Sequence, residues 1–286
     1  MNFITAEYWE ECGSGIVKCL LCPKCCNIKT NQSGACGVRT NRNGVLTADN
    51  YGSVTSIALD PIEKKPLYMY KKGSKIVSVG SFGCNLRCQF CQNYNISLEY
   101  TNTKIEKLTP ELVLEVAKLA VQDGNIGIAY TYNEPLIGYE FIKDTSRLIR
   151  NEGLANVLVT NGYINEEPLR EILPYIDALN IDIKGYSDRT YNKLGGTLEP
   201  VKTAIEIANE SCHVEVTTLI LQNENENEVE KIAKWLSGIS KDIPYHLSRF
   251  FPRYKYSDSE PTPPETMYRL YDVAKKYLKN VFLGNI

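Results

Sequence analysis

No stretch of this chain approaches the roughly 20 consecutive apolar residues that a membrane-crossing helix needs, and its start, MNFITAEYWEECGSG, lacks the basic-then-apolar order of a secretory signal. A soluble, cytoplasmic protein without membrane partners is expected. No run of Lys or Arg is long enough to track a phosphate backbone, and the net charge is −2, so nucleic acid is unsupported as a partner. There is no low-complexity tract and no clear internal repeat. Cysteine, by contrast, is plentiful. Nine of the ten cysteines fall between 12 and 36 or between 84 and 91, leaving Cys212 alone. In a reducing compartment such clusters favour metal over disulfides. Disulfides are also unnecessary, because 286 residues with 43% hydrophobic content can bury a sizeable core.

From Lys75 onward, short β-branched or apolar runs alternate with helical patterns. KIVSVG, IGIAYT, ANVLVT, DALNIDI, HVEVTTLI and YHLSRF read as six strands, with VFLGN as a seventh candidate. Between them, TPELVLEVAKLAVQDG predicts a helix capped by Thr109, opened by Pro110 and ended by Gly124, with Leu112, Val113, Val116, Ala117 and Ala120 on one face. TPPETMYRLYDVAKKY predicts another, with Thr262 and Glu265 at capping-box spacing. Six strand–helix units of this kind make an α/β fold, either an open partial barrel or a doubly wound sheet, and in both the ligand sits at the strand carboxyl ends. Residues 1–70, rich in Cys, Gly and Asn, break the alternation and read as a separate Cys-rich module before a 71–286 domain.

GSFGCNLRCQFCQN follows the first of these strands and spaces Cys84, Cys88 and Cys91 as CxxxCxxC. Three thiolates can hold three irons of a cubane and leave the fourth iron open. A zinc site would want a fourth ligand close by in sequence, and none is there.

With Phe90 before the third cysteine, this loop resembles the motif of the radical S-adenosylmethionine (SAM) superfamily, and the resemblance runs over residues 75–286. It implies a partial (β/α)6 barrel, a 4Fe-4S cluster, SAM bound to the open iron, and a one-electron reductant such as flavodoxin or ferredoxin. Within the superfamily the chain resembles the pyruvate formate-lyase activating enzymes, and more closely the AmmeMemoRadiSam branch. TYNEP (131–135) stands where the activases carry a turn that meets the SAM amine, which implies that role for Asn133 and Glu134. VTNGY (159–163), with Thr160 and Asn161, and NIDIKG (180–185), with Asp182 and Lys184, resemble the next two strand ends, where the DxK pair handles ribose and carboxylate. His246 in PYHLSRFFP matches the activases' PYH and is implied at the SAM ribose or the substrate side, while His213 reads as structural. Two departures stand out. Val159 occupies the place of an activase Asp near the amine and a monovalent cation, and DPIEKKPLYMY replaces the DGPGIR-like grip for a partner's glycine loop.

Upstream, KCLLCPKCCNIKTNQSGACGVR offers Cys19, Cys22, Cys26 and Cys36 for a second centre, zinc or iron–sulfur, with Cys25 as an alternative to Cys26; it resembles the leading motif of the same branch. Cys12 and Cys212 read as free thiols. NENENEVE (223–230) reads as a solvated helix start, and FFPRYKYSDSEPTPP (250–264) as a lid-like connection; Arg249 just before it, and Arg253 and Tyr254 on it, read equally as substrate contacts or as packing and surface residues. Three functions compete: a radical SAM enzyme acting under anaerobic conditions on an unidentified organic, peptide or protein substrate, a glycyl-radical activase, and a non-catalytic metal-binding scaffold.

Overall fold

The computed structural model describes residues 3–286. Its main sheet has eight strands: β1 (Ser56–Pro61), β2 (Lys75–Gly80), β3 (Asn125–Thr131), β4 (Ala155–Thr160), β5 (Ala178–Asp182), β6 (His213–Ile220), β7 (Tyr245–Arg249) and β8 (Val281–Gly284). All seven strands expected from the sequence are present, and β2 to β8 pair in parallel, each with the next. The order never reverses, so there is no switch point of the doubly wound kind. The end strands β1 and β8 do not meet, which leaves the partial barrel open.

Six longer helices cover the outer face: α1 (Pro110–Leu119), α2 (Tyr139–Asn151), α3 (Glu166–Ile172), α4 (Glu199–Asn209), α5 (Val229–Ile239) and α6 (Pro264–Lys275). Helix α1 begins as its sequence dictates, with the Thr109 hydroxyl accepting from the Leu112 amide, and Gly124 closes the following turn at φ +90°. Val113 and Ala117 form its buried face, but Leu112 points to solvent. The capping box expected at α6 does not form. Thr262 is fully buried and donates to the Ile220 carbonyl (2.5 Å), so burial against β6 outcompetes the local cap.

Strand β1 lies within the 1–70 segment and pairs antiparallel with β2, Asp60 opposite Ile76. The chain then fills the inside of the sheet. Ile62 and Leu67 pack against Ile76, Ala129, Val157 and Ala178, Asn180 donates to the Pro66 carbonyl, and the Tyr68 ring meets His246 and Phe282.

Before β1, a three-stranded antiparallel sheet (Trp9–Glu11, Val17–Cys19, Asn27–Ile28) precedes a hairpin of Arg39–Arg42 and Val45–Ala48. The hairpin turns at Asn43 and Gly44, both at positive φ. This region is fastened to α2 by a buried Arg39–Glu140 ion pair, by the Glu7 amide donating to Glu140 (2.7 Å), and by Lys143 bonding Glu7 (2.6 Å). Arg39 is 1% exposed, so removing Glu140 would strand a buried guanidinium at a cost of about 3–5 kcal/mol.

Candidate functional site

At the carboxyl ends of the parallel strands lies a cleft of about 680 Å³. Cys84, Cys88 and Cys91 line it, together with Phe90, Asn133, Glu134, Thr160, Asn161, Asp182, Lys184 and His246, so every residue that the sequence nominated for this chemistry faces one space. Val159 lines it too and brings no carboxylate. The cysteine loop leaves β2 through Gly83 at φ +87°, where a Cβ would stand 2.6 Å from Val38 Cγ1 and 2.8 Å from the Cys36 carbonyl oxygen. Only glycine fits there. Asn133 holds the start of the loop, accepting from the Ser81 amide (3.0 Å) and donating to the Gly83 carbonyl (3.1 Å).

Burial pushes all three thiols above their usual range, Cys88 to about 11, so deprotonated sulfurs here need a compensating charge. Donors already point at them. The Leu86 amide (3.4 Å) and the Asn161 side chain (3.7 Å) reach Cys84 Sγ, and the Lys184 cation counteracts burial at Cys88 and Cys91. This donor set of soft sulfurs, N–H groups and a cation suits an anionic iron–sulfur cluster. Among the described residues, no group of three His, Cys, Asp or Glu side chains is already poised around a single ion, at this cleft or at the amino-terminal cysteines.

The strand-end residues are locked to one another. The Glu134 carboxylate accepts from the Leu136 amide (3.0 Å), the Thr160 hydroxyl (2.7 Å) and the Asn161 amide (2.7 Å), which ties the β3 turn to the β4 turn. Burial still raises its carboxyl to about 7 against those bonds. Lys184 bonds Asp182 at 2.9 Å; burial acts to lower the ammonium, but the Asp182 and Cys88 charges outweigh it and hold the pKa above the usual lysine value. His246 is buried, with Nε2 2.5 Å from Glu215, and its ring stacks on Phe282.

Four residues of this neighbourhood, Glu215, Asp60, Lys65 and Tyr132, went unread in the sequence. Glu215, fully buried on β6, accepts from the Tyr68 (3.0 Å) and Met69 (2.8 Å) amides and from Nε2 of both His213 and His246, clamping the inner segment to the sheet. His213 is thus structural, as expected. Asp60 takes Lys65, Ser78 and Tyr132 on one carboxylate oxygen and Lys64 on the other. Tyr132, beside Asn133, sits at φ +73°, a conformation that costs a bulky residue about 1–3 kcal/mol; its hydroxyl bond to Asp60 (2.8 Å), the Asn93 bond to its carbonyl (2.7 Å) and Lys65 over its ring (4.7 Å) hold it there. The detectable signal was the charge in DPIEKKP and a Glu inside a predicted strand.

Cys19, Cys22, Cys25, Cys26 and Cys36 surround a second, nearly closed space of about 10 Å³ with Leu21, Ile28 and Ile137. Cys26 Sγ accepts from the Ala35 amide (3.4 Å), whereas the Cys25 thiol turns to the Cys22 carbonyl (3.6 Å) with its backbone at φ +41°. Burial pushes Cys22 up to about 12 and raises Cys19 and Cys36. The two cysteine regions touch: Asn85 borders this space and bonds Asn161, and Arg87 bridges the Cys84 and Ala35 carbonyls. Cys12, exposed, and Cys212, half-buried, lie outside both cysteine-lined spaces.

The 250–264 connection crosses the cysteine loop. Lys255 N donates to the Gln89 carbonyl (3.1 Å), Tyr254 stacks on Tyr94, and Tyr256 meets Phe90 edge-on. Arg249 bonds the Thr262 carbonyl and Arg253 lies over Tyr94, so these two and Tyr254 pack the connection in place rather than line the cleft. In the acidic stretch, Glu228 binds Tyr186 N, Ser187 and Thr190, a structural clamp.

The family model of the Radical SAM superfamily matches residues 78–236. An uncharacterised protein of Methanocaldococcus jannaschii, MJ0808, is 42% identical over 288 residues, covering 98% of this chain and 85% of its own length. The pyruvate formate-lyase 1-activating enzyme of Escherichia coli K12 is 24% identical, covering 68% of this chain and 86% of its own. Among solved structures, Streptococcus suis SuiB bound to precursor peptide SuiA has a TM-score of 0.55 at 13% identity, over 71% of this chain and 46% of that one. Escherichia coli QueE has 0.50 at 13%, over 81% and 92%. These two share the fold.

Proposed function

The chain belongs to the radical SAM superfamily and is an enzyme, and from that premise we propose that Cys84, Cys88 and Cys91 hold a 4Fe-4S cluster with one iron left for SAM. When bound, the cluster supplies the electron for reductive cleavage of SAM to methionine and a 5′-deoxyadenosyl radical, which abstracts hydrogen from the substrate. The remaining work belongs to the protein. Lys184, steadied by Asp182, holds the SAM carboxylate, and Asp182 is exposed enough to meet the ribose. Glu134 and Asn133 face the amine; an ammonium beside Glu134 draws its raised carboxyl back to the charged form. Thr160 and Asn161 keep that turn and Cys84 in register, and His246, oriented by Glu215, stands on the ribose or substrate side. Phe90 and the crossing 250–264 connection shield the loop from water.

The observation that carries this reading is that three thiols and the polar ends of successive parallel strands line one cleft. Anaerobic reconstitution with iron and sulfide, followed by SAM and a one-electron reductant of the flavodoxin or ferredoxin class, is expected to release 5′-deoxyadenosine. Complete absence of that product in cluster-loaded protein would overturn the reading. We further assign a second metal centre, zinc or iron–sulfur, to Cys19, Cys22, Cys26 and Cys36, with metal content of the purified protein as its test.

The similarity to a pyruvate formate-lyase activating enzyme favours a second reading, activation of a glycyl-radical enzyme. Against it, the segment that would carry the partner grip here fills the inside of the sheet. No glycyl doublet is expected by electron paramagnetic resonance on added pyruvate formate-lyase, and a stoichiometric doublet would promote this reading over the first.

A further inference from the structure

The DPIEKKP segment contributes Glu63, Lys64 and Lys65 to the same cleft as the three cysteines. Lys65 is 3% exposed, yet its ammonium, with three N–H donors, has one acceptor, Asp60 Oδ2 at 2.9 Å, and otherwise faces the Tyr132 ring. Asp60 is saturated from its own side by Lys64, Lys65, Ser78 and Tyr132. Glu63 turns away to the Gly73 amide (2.7 Å). Two ammoniums therefore share one carboxylate, while the Glu63 carboxylate of the same segment is engaged by a backbone amide, so this wall turns unused lysine N–H donors toward the cleft. The other carboxylates of the cleft do not engage these donors, because Glu134 is tied to the 160–161 turn and Asp182 to Lys184.

A buried ammonium with donors to spare is costly unless an acceptor arrives, and lysine, as a point charge, takes a carboxylate or a phosphate oxygen equally well. We propose that Lys64 and Lys65, braced by Asp60 and Tyr132, form a subsite for an oxyanion carried by the substrate. The inference rests on the reading of this cleft as the SAM site and adds the class of substrate, one bearing a carboxylate or phosphate. Tyr132's left-handed backbone conformation then has a use: it sets the aromatic face against Lys65 immediately before the residues that meet SAM.

The test is calorimetric titration of inorganic phosphate, and separately of acetate, into reconstituted holoenzyme saturated with SAM, with chloride as the ionic-strength control. Wild type is expected to bind one equivalent of at least one oxyanion in the millimolar range, and the stronger of the two identifies the group. Lys64→Met, at an exposed position, should weaken binding about tenfold. The double variant Asp60→Asn with Lys65→Met removes the buried pair together, leaving no buried stranded charge, and should abolish oxyanion binding while iron content stays at the wild-type level; Lys64→Met, which leaves the contacts of Tyr132 intact, should keep wild-type SAM affinity as well. No oxyanion binding by wild type, or unchanged binding in both variants, would overturn the proposal. Phosphate or acetate binding that persists in protein unable to bind iron or SAM would leave the subsite standing and remove the SAM reading instead.

Discussion

The two cysteine-bearing regions differ in what surrounds their sulfurs. Around Cys84, Cys88 and Cys91 the walls are polar and the space is wide, about 680 Å³, with the ends of β3, β4, β5 and β7 contributing side chains. Around Cys19, Cys22, Cys26 and Cys36 the space is about 10 Å³, and Leu21, Ile28 and Ile137 close it. Thiols alone do not distinguish the two spaces; the room beside them does, since charged and amide side chains line both. The difference also explains the two backbones. A loop at the mouth of a parallel sheet is positioned by the sheet, whereas the amino-terminal region is ordered by short strands, a hairpin and its buried ion pair to α2.

The comparison breaks first, and most visibly, at the closed region. If metal ligation supports its fold, Cys26→Ala should remove that centre and lower stability by several kcal/mol in chemical denaturation, because metal binding there is folding free energy. Cys25→Ala should retain the metal and change stability by under about 0.5 kcal/mol, since its thiol turns elsewhere. Equal metal loss in the two would erase the distinction.

The open region is ordered by polar clamps, and Glu215 is the deepest. Burial opposes its charge, but the bonds from His213, His246 and the Met69 and Tyr68 amides prevail and hold it at about 2, below its ordinary 4.5. A carboxylate lowered in this way stabilises the fold fully above pH 4.5, and the contribution disappears as pH falls toward 2. Glu215→Gln should therefore cost about 2 kcal/mol at neutral pH and progressively less in acid. A pH-independent difference between variant and wild type would contradict the clamp.

Where the regions meet, Gly83→Ala forces a Cβ onto the Cys36 carbonyl at positive φ and should cost about 2 kcal/mol, read as a lowered melting temperature. A melting temperature like that of wild type would mean that the two regions can part at this contact. The smallest effect is confined to the cleft. Lys184→Ala should weaken SAM binding about tenfold, near 1.4 kcal/mol, with iron content unchanged; undiminished affinity would remove Lys184 from the SAM site.

Much of this was legible in the sequence for a physical reason. Parallel strands covered on both faces are continuous β-branched runs, so KIVSVG, ANVLVT and HVEVTTLI announce themselves. The CxxxCxxC loop and the TYNEP, TNG and DIK turns sit at strand ends, and a parallel sheet gathers such ends on one side. What stayed hidden depends on tertiary context. Ser56–Pro61 ends in proline and precedes charged residues, so it does not announce itself as a strand and falls within the 1–70 segment, although it forms the antiparallel edge of the sheet. Asp60 and Lys65 acquire meaning only when the chain folds back inside, and Glu215 only when Tyr68 and His246 arrive from more than 30 residues away on either side. Thr262 fits a capping box by spacing alone; its carbonyl partner at Ile220 cannot be seen locally.

The central claim is that the open cysteine loop, and not the closed one, binds SAM through its cluster. Electron paramagnetic resonance of the reduced protein with and without SAM tests it most directly, in wild type, Cys88→Ala and Cys26→Ala. The account predicts a reduced iron–sulfur signal whose shape changes when SAM is added to wild type and to Cys26→Ala, and the loss of that SAM-dependent change in Cys88→Ala. A SAM-responsive signal that survives in Cys88→Ala and vanishes in Cys26→Ala would contradict it.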